Sequence, residues 1–277
     1  ELTTVTQTYS ASVPAGAAKS TIFNMSTLKT EETYSDGSVY AAGFTYSAIY
    51  VDGTGVVIWQ SSVSDNKTLL RRTLSDGTVK YYDSYGNVTK QILNDTYKTT
   101  LAFTYTSNVL TKVVKTRKTV AVDDPAISIT YNLLTMTATE IDADGSYYQS
   151  KFTYSPLAEN EKGVVVWQAT LTGTKILVQR SLSDGTVQYF DTNGNMTRQI
   201  SNDANKTTLS FTYTNGALTK ITQTCGKTPT NGAALSITYD LVKLTLSEKY
   251  ADGSYYSGNI TFAGLSADTT TGFVTPS

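Results

Sequence analysis

Residues 75–92 read SDGTVKYYDSYGNVTKQI, and residues 183–200 read SDGTVQYFDTNGNMTRQI. Two runs rich in β-branched and aromatic residues, 78–83 and 87–92, are punctuated by Asp76-Gly77 and by Tyr85-Gly86-Asn87. Asp-Gly and Gly-Asn tolerate the positive φ that tight hairpin turns require. The stretch therefore predicts strand, turn, strand, turn, strand: an antiparallel meander. Gly77 and Gly185 recur for backbone reasons before any functional one.

Working outward, one constant offset, the spacing from Trp59 to Trp167, aligns the rest of the chain. By the same step Asp76 falls on Asp184, Tyr131 on Tyr239, and Asp36 on Asp144 and then Asp252. The organisation this implies is a half repeat (1–54), two full repeats (55–162 and 163–270) and a tail (271–277). Strands are expected near 55–62, 67–74, 78–83, 87–93, 98–106, 109–116, 126–131, 134–141 and 146–154. Several alternate cleanly, with Leu101, Phe103 and Tyr105 on one face and Thr100, Ala102 and Thr104 on the other. A weaker echo lies inside the unit, where 82–90 resembles 105–112. No helix of useful length is legible, because Gly, Asn, Asp and Thr interrupt every candidate. The fold class expected is all-β, a continuous meander or solenoid of hairpins, with tandem β-sandwiches as the alternative.

Composition narrows the function classes. With 22 basic and 23 acidic residues the net charge is −1, which gives no electrostatic case for nucleic acid. Charged residues are 16% of the chain, below the usual globular share of about 25%, and Thr, Ser, Tyr and Asn fill the polar positions. That balance suits strands and an extracellular or cell-surface setting. Histidine is absent, which removes His-based triads and His-ligated zinc. Cys225 is the single cysteine, so no intrachain disulfide is expected. No apolar run is long enough to span a bilayer as a helix. The first residue is Glu1, as in a processed product or a cut piece.

Residues 82–89, YDSYGNVT, and 190–197, FDTNGNMT, resemble the YD repeat of Rhs and teneurin-type surface proteins. That pattern is Tyr-Asp, two free residues, Gly-Asn, an aliphatic, then Ser or Thr. The resemblance implies hairpins in a spiralling β-sheet and an exported protein. It covers about eight residues per copy, with Phe190 in place of Tyr.

Each candidate constellation has a plainer reading beside it. The recurring carboxylates Asp76, Asp184, Asp144 and Asp252 each precede a glycine (Gly77, Gly185, Gly145, Gly253). They could ligate calcium or act as glycosidase acids, but turn capping accounts for all four. Asp142-Ala143-Asp144-Gly145 is the most calcium-like cluster, and Glu159 with Glu161 the pair most like an added acid–base couple. No catalytic motif, metal set or cofactor site emerges, and the chain reads as a non-enzyme. Tyr147 and Tyr255 could present rings for ligand stacking. Trp59 and Trp167 read as core. Asn24, Asn66, Asn87, Asn94, Asn195, Asn205 and Asn259 each begin an Asn-x-Ser/Thr sequon. The function expected is an extracellular structural or adhesive repeat protein, such as a fibre or surface-layer subunit. A carbohydrate-binding module is the alternative, followed by a glycosidase. The partner expected is the protein itself, joined through terminal strands at 2–8 and 272–274, and besides it glycans or other cell-surface components.

Overall fold

The computed structural model describes residues 2–9, 12–47, 49–121, 124–229, 232–268 and 274–276. Among them there is no helix, and 21 strands form an antiparallel sheet in meander order. The chain divides into two compact units. One holds Glu1–Asp124, Ser128–Thr137 and Phe152–Thr170, the other Pro125–Ile127, Ala138–Lys151 and Leu171–Ser277.

In the first unit sequence neighbours pair in turn: Thr4–Thr8, Ser20–Asn24, Lys29–Thr33 and Val39–Tyr46. The meander resumes through Thr68–Thr73, Val79–Tyr82, Val88–Ile92, Thr100–Thr106 and Val109–Thr116. In the second unit the same path runs from Val187–Phe190 through Met196–Ile200, Thr208–Thr214, Ala217–Thr224, Ser236–Asp240 and Thr245–Lys249 to Tyr255–Asn259. Alternation decides what is buried. Leu101, Phe103 and Val113 are core in one unit, and Leu209, Phe211 and Ile221 with Met196, Tyr213 and Phe262 in the other.

The turns are built as their residues dictate. Asp76 Oδ1 accepts the Thr78 N–H at 2.8 Å, and Asp184, Asp144 and Asp252 do the same for Thr186, Ser146 and Ser254. Gly77 follows with φ 84°. The Thr78 N–H is the main cause holding the Asp76 carboxyl below its ordinary pKa, so Asp76 is a fixed acceptor in its turn. The internal echo has a physical basis as well. The register shifts once between Val88 and Lys90 and again between Thr104 and Tyr105, so Thr89 and Thr111 sit at bulges. The Thr111 hydroxyl donates to Thr104 O at 3.1 Å, and Thr219 repeats this on Thr212 O.

Two expected strands differ. The span 55–62 is not one strand: Val57–Ile58 belongs to a separate hairpin, and Ser61–Val63 returns to the sheet beside Val39–Tyr46. The span 134–141 starts later, as Thr137–Asp142, because Met136 takes φ 53° in the preceding turn. Trp59 and Trp167 sit at the break after the hairpins and are half-buried, not core. Trp59 stands edge-on to the buried Phe23 at 4.6 Å, and Trp167 to the buried Tyr131 at 4.7 Å and Phe152 at 6.5 Å.

Candidate functional site

Three short hairpins lie outside the large sheet: Tyr50–Val51 with Val57–Ile58, Ala158–Glu159 with Val165–Val166, and Leu265–Ala267 with Val274–Pro276. The first two are the same object by sequence. Asp52 and Asn160 each cap the turn with Oδ1, accepting N–H groups two and four residues on, and Gly55 and Gly163 follow at φ 84° and 73°.

The second hairpin is seated on the sheet of its own unit by Gln91, which is fully buried. Its Nε2 donates to Val165 O at 2.8 Å, and its Oε1 accepts the Val165 N–H at 2.7 Å. A side-chain amide thus supplies the two bonds that a neighbouring strand would otherwise make. Lys80, cross-strand from Gln91, donates to Glu159 Oε1 and to Gly163 O at 3.0 Å. The third hairpin repeats this seat in the other unit: Gln199 Nε2 donates to Val274 O at 2.9 Å, and the Val274 N–H returns to Gln199 Oε1 at 3.0 Å. There Gln188 stands where Lys80 stands, and its Nε2 donates to Gln199 Oε1 at 2.7 Å.

The first hairpin has no such seat among the described residues. Val56 and Val57 are 54% and 62% exposed, against 8% and 5% for their equivalents Val164 and Val165. Tyr50 and Val51 are also open, at 55% and 60%.

The expected site residues scatter. Glu159 is ion-paired with Lys80, and Glu161 is exposed. Tyr147 is half-buried and Tyr255 is 66% exposed. The Asn87, Asn94 and Asn195 side chains donate to Asp83, to Asp76 O and to Asp191, and the Asn24 carbonyl caps a turn. Asn66 and Asn259 are exposed, and Asn205 is half-buried. Gly272, in the expected C-terminal strand, lies outside the described residues. Its neighbour Val274 is not a free edge, since Gln199 takes both its backbone groups. Thr4–Thr8 pairs with Ser20–Asn24 alone among the described strands.

Asp142, the first carboxylate of the calcium-like stretch, is buried beside Glu140. In the other copies a tyrosine holds this position: Tyr34 donates its hydroxyl to Glu32 at 3.2 Å and Tyr250 to Glu248 at 3.1 Å. Asp142 instead faces Glu140, itself bonded by Lys175, and Asp142 Oδ1 has no hydrogen-bond partner among the described residues. Burial, then the Glu140 carboxylate, pushes Asp142 up to about 6. A folded-state pKa above the unfolded value means that the native state binds the extra proton. This contribution is complete below about pH 4 and is lost as pH rises through about 6, a cost of about 3 kcal/mol at most by linkage. Asp142→Tyr restores the hydroxyl donor. Urea titrations at pH 5 and pH 8 are expected to show it stabilising the protein mainly at pH 8; an equal effect at both refutes the proton-sharing pair.

A cleft of about 460 Å³ lies in the first unit, lined by Leu101, Lys115, Tyr131, Trp167 and Gln168 among others. The Trp167 indole N–H is buried without a partner among the described residues, and burial, with the Arg117 charge nearby, lowers the Lys115 pKa.

No protein-family model matches the chain, and no curated protein matches it. Among solved structures it is similar to the wild-type TCP10 domain of Danio rerio CPAP, in complex with a peptide of Danio rerio STIL. The likeness covers 91% of this chain and 97% of that one, at 12% identity and a TM-score of 0.29.

Proposed function

We propose that the chain is an extracellular structural or adhesive repeat protein, a subunit of a surface fibre or layer. The observation that carries this reading is the repeated seat: in two successive copies a short hairpin is received by a buried glutamine of the sheet. A unit that presents the same join at each repeat suits a linear array. The resemblance of residues 82–89 to YD repeats and the Thr-, Ser- and Asn-rich composition support an exported setting. Immunogold electron microscopy of intact source cells and their medium tests this. Label on external filaments or a surface layer is the expected result, and label confined to the cell interior overturns it.

Carbohydrate binding is the second reading, favoured by the unpartnered Trp167 N–H at the edge of the Lys115 cleft. Glycosidase activity is the third. A panel of glycans, esters and peptides is expected to show no turnover; hydrolysis that Glu159→Gln or Glu161→Gln abolishes would replace the structural reading.

A further inference from the structure

Lys115 stands on the core face of its strand. Alternation along Val109–Thr116 puts it on the same side as the fully buried Val113. Its cross-strand partners, Leu101 on one side and Ile129 on the other, are both core residues. The lysine is half-buried and lines the cleft of about 460 Å³ that Leu93, Leu101 and Trp167 also wall. It has no ion pair among the described residues. Arg117, the other cation nearby, is held by Asp124 at 2.6 Å, and Asp95 accepts the Thr99 N–H at 2.8 Å in its own turn. Both carboxylates favour the Lys115 charge without bonding to it, while burial opposes it.

The repeat shows that the fold does not ask for this charge. The same position holds Gln7 and Gln223 in the other copies. Gln223 lies between Leu209 and Ile237 as Lys115 lies between Leu101 and Ile129. A polar residue is therefore the rule here, and the ammonium is particular to one cleft. In the copy that holds Gln223, Thr275 takes the place of Trp167.

Resting on the carbohydrate-binding reading, we infer that this cleft binds a saccharide bearing a carboxylate, a hexuronate unit, with that carboxylate on the Lys115 ammonium. A single available cation, drawn out of water, suits a monoanion. The volume lies at the lower end of the range of ligand pockets, about 300–1,000 Å³, and so suits a mono- or disaccharide. Leu93 and Leu101 offer apolar surface to the C–H face of a sugar ring. The Trp167 indole N–H, without a partner among the described residues, is a donor in the same wall for a ring or hydroxyl oxygen. Gln168 and Thr170, both exposed, supply polar groups for the remaining hydroxyls.

Isothermal titration calorimetry on the full chain tests this, with digalacturonate, its methyl ester and neutral digalactose as probes. Digalacturonate is expected to bind about tenfold more tightly than either uncharged probe, and to weaken as salt is added. Lys115→Gln, which installs the residue of the other copies, is expected to abolish that preference with an unchanged thermal midpoint. If the variant fails to fold, the three probes on the wild type decide. Equal affinity for charged and uncharged probes overturns the inference and leaves the carbohydrate reading standing, whereas no binding of any probe overturns both. A preference that survives in folded Lys115→Gln also overturns the inference. So does propionate binding as tightly as digalacturonate, because the cleft would then read a carboxylate and no sugar.

Discussion

Gln91→Ala is expected to lower the unfolding free energy by about 3 kcal/mol and to release the second hairpin. The side chain is fully buried and makes both of its hydrogen bonds to the backbone of Val165, itself 5% exposed. Alanine leaves a buried N–H and a buried C=O with no partner, and a desolvated polar group without a bond costs about 1–3 kcal/mol. Water entering with the displaced hairpin offsets part of this, which is why release and destabilisation go together. Urea titration reads the stability. Limited proteolysis reads the release, as a new cut within residues 158–166. Gln199→Ala is expected to do the same to residues 265–276. A Gln91→Ala protein as stable as wild type to within about 0.5 kcal/mol, the scale of an ordinary surface substitution, would mean the amide is a bystander.

The second large effect is at a turn. Gly77→Ala is expected to cost about 2 kcal/mol and Gly86→Ala about 1 kcal/mol, although both glycines sit at φ 84°. The difference is the neighbour. A Cβ on Gly77 would lie 2.9 Å from Asn94 Nδ2, the atom that donates to Asp76 O, whereas a Cβ on Gly86 meets nothing within 4 Å. The first substitution therefore adds the loss of a hydrogen bond to the backbone strain. Gly185 repeats the arrangement, with Asn202 Nδ2 at 2.7 Å. Equal denaturation midpoints for the two alanine variants would contradict this account.

The meander was legible in the sequence because its signals are local. Asp-Gly and Gly-Asn set the turns, alternation set the faces, and the constant offset carried both from copy to copy. The seats were not legible. Gln91 lies in Lys90-Gln91-Ile92, where a polar residue reads as the solvent face of a strand, and only the structure shows a second layer of backbone above it. Its recurrence as Gln199 was the available signal, and it could not be told from the repetition around it. The hairpins were lost for a related reason. GVVIWQ reads as one apolar strand, and nothing in the string separates the residues that leave the sheet from those that return to it. Asp142 was visible as a departure from tyrosine, but its setting beside Glu140 depends on how the neighbouring strands pack.

The glutamine seat also bears on the order in which the chain folds. Nearly every strand pairs with the one just before or after it, so the meander can zip from local contacts, each closing a short loop. The bonds of Gln91 to Val165 span 74 residues, and they can form only once the sheet that buries the amide exists. Seating is therefore a late event, added to a scaffold already made. A nascent repeat leaves its apolar hairpin open until the sheet that receives it is complete.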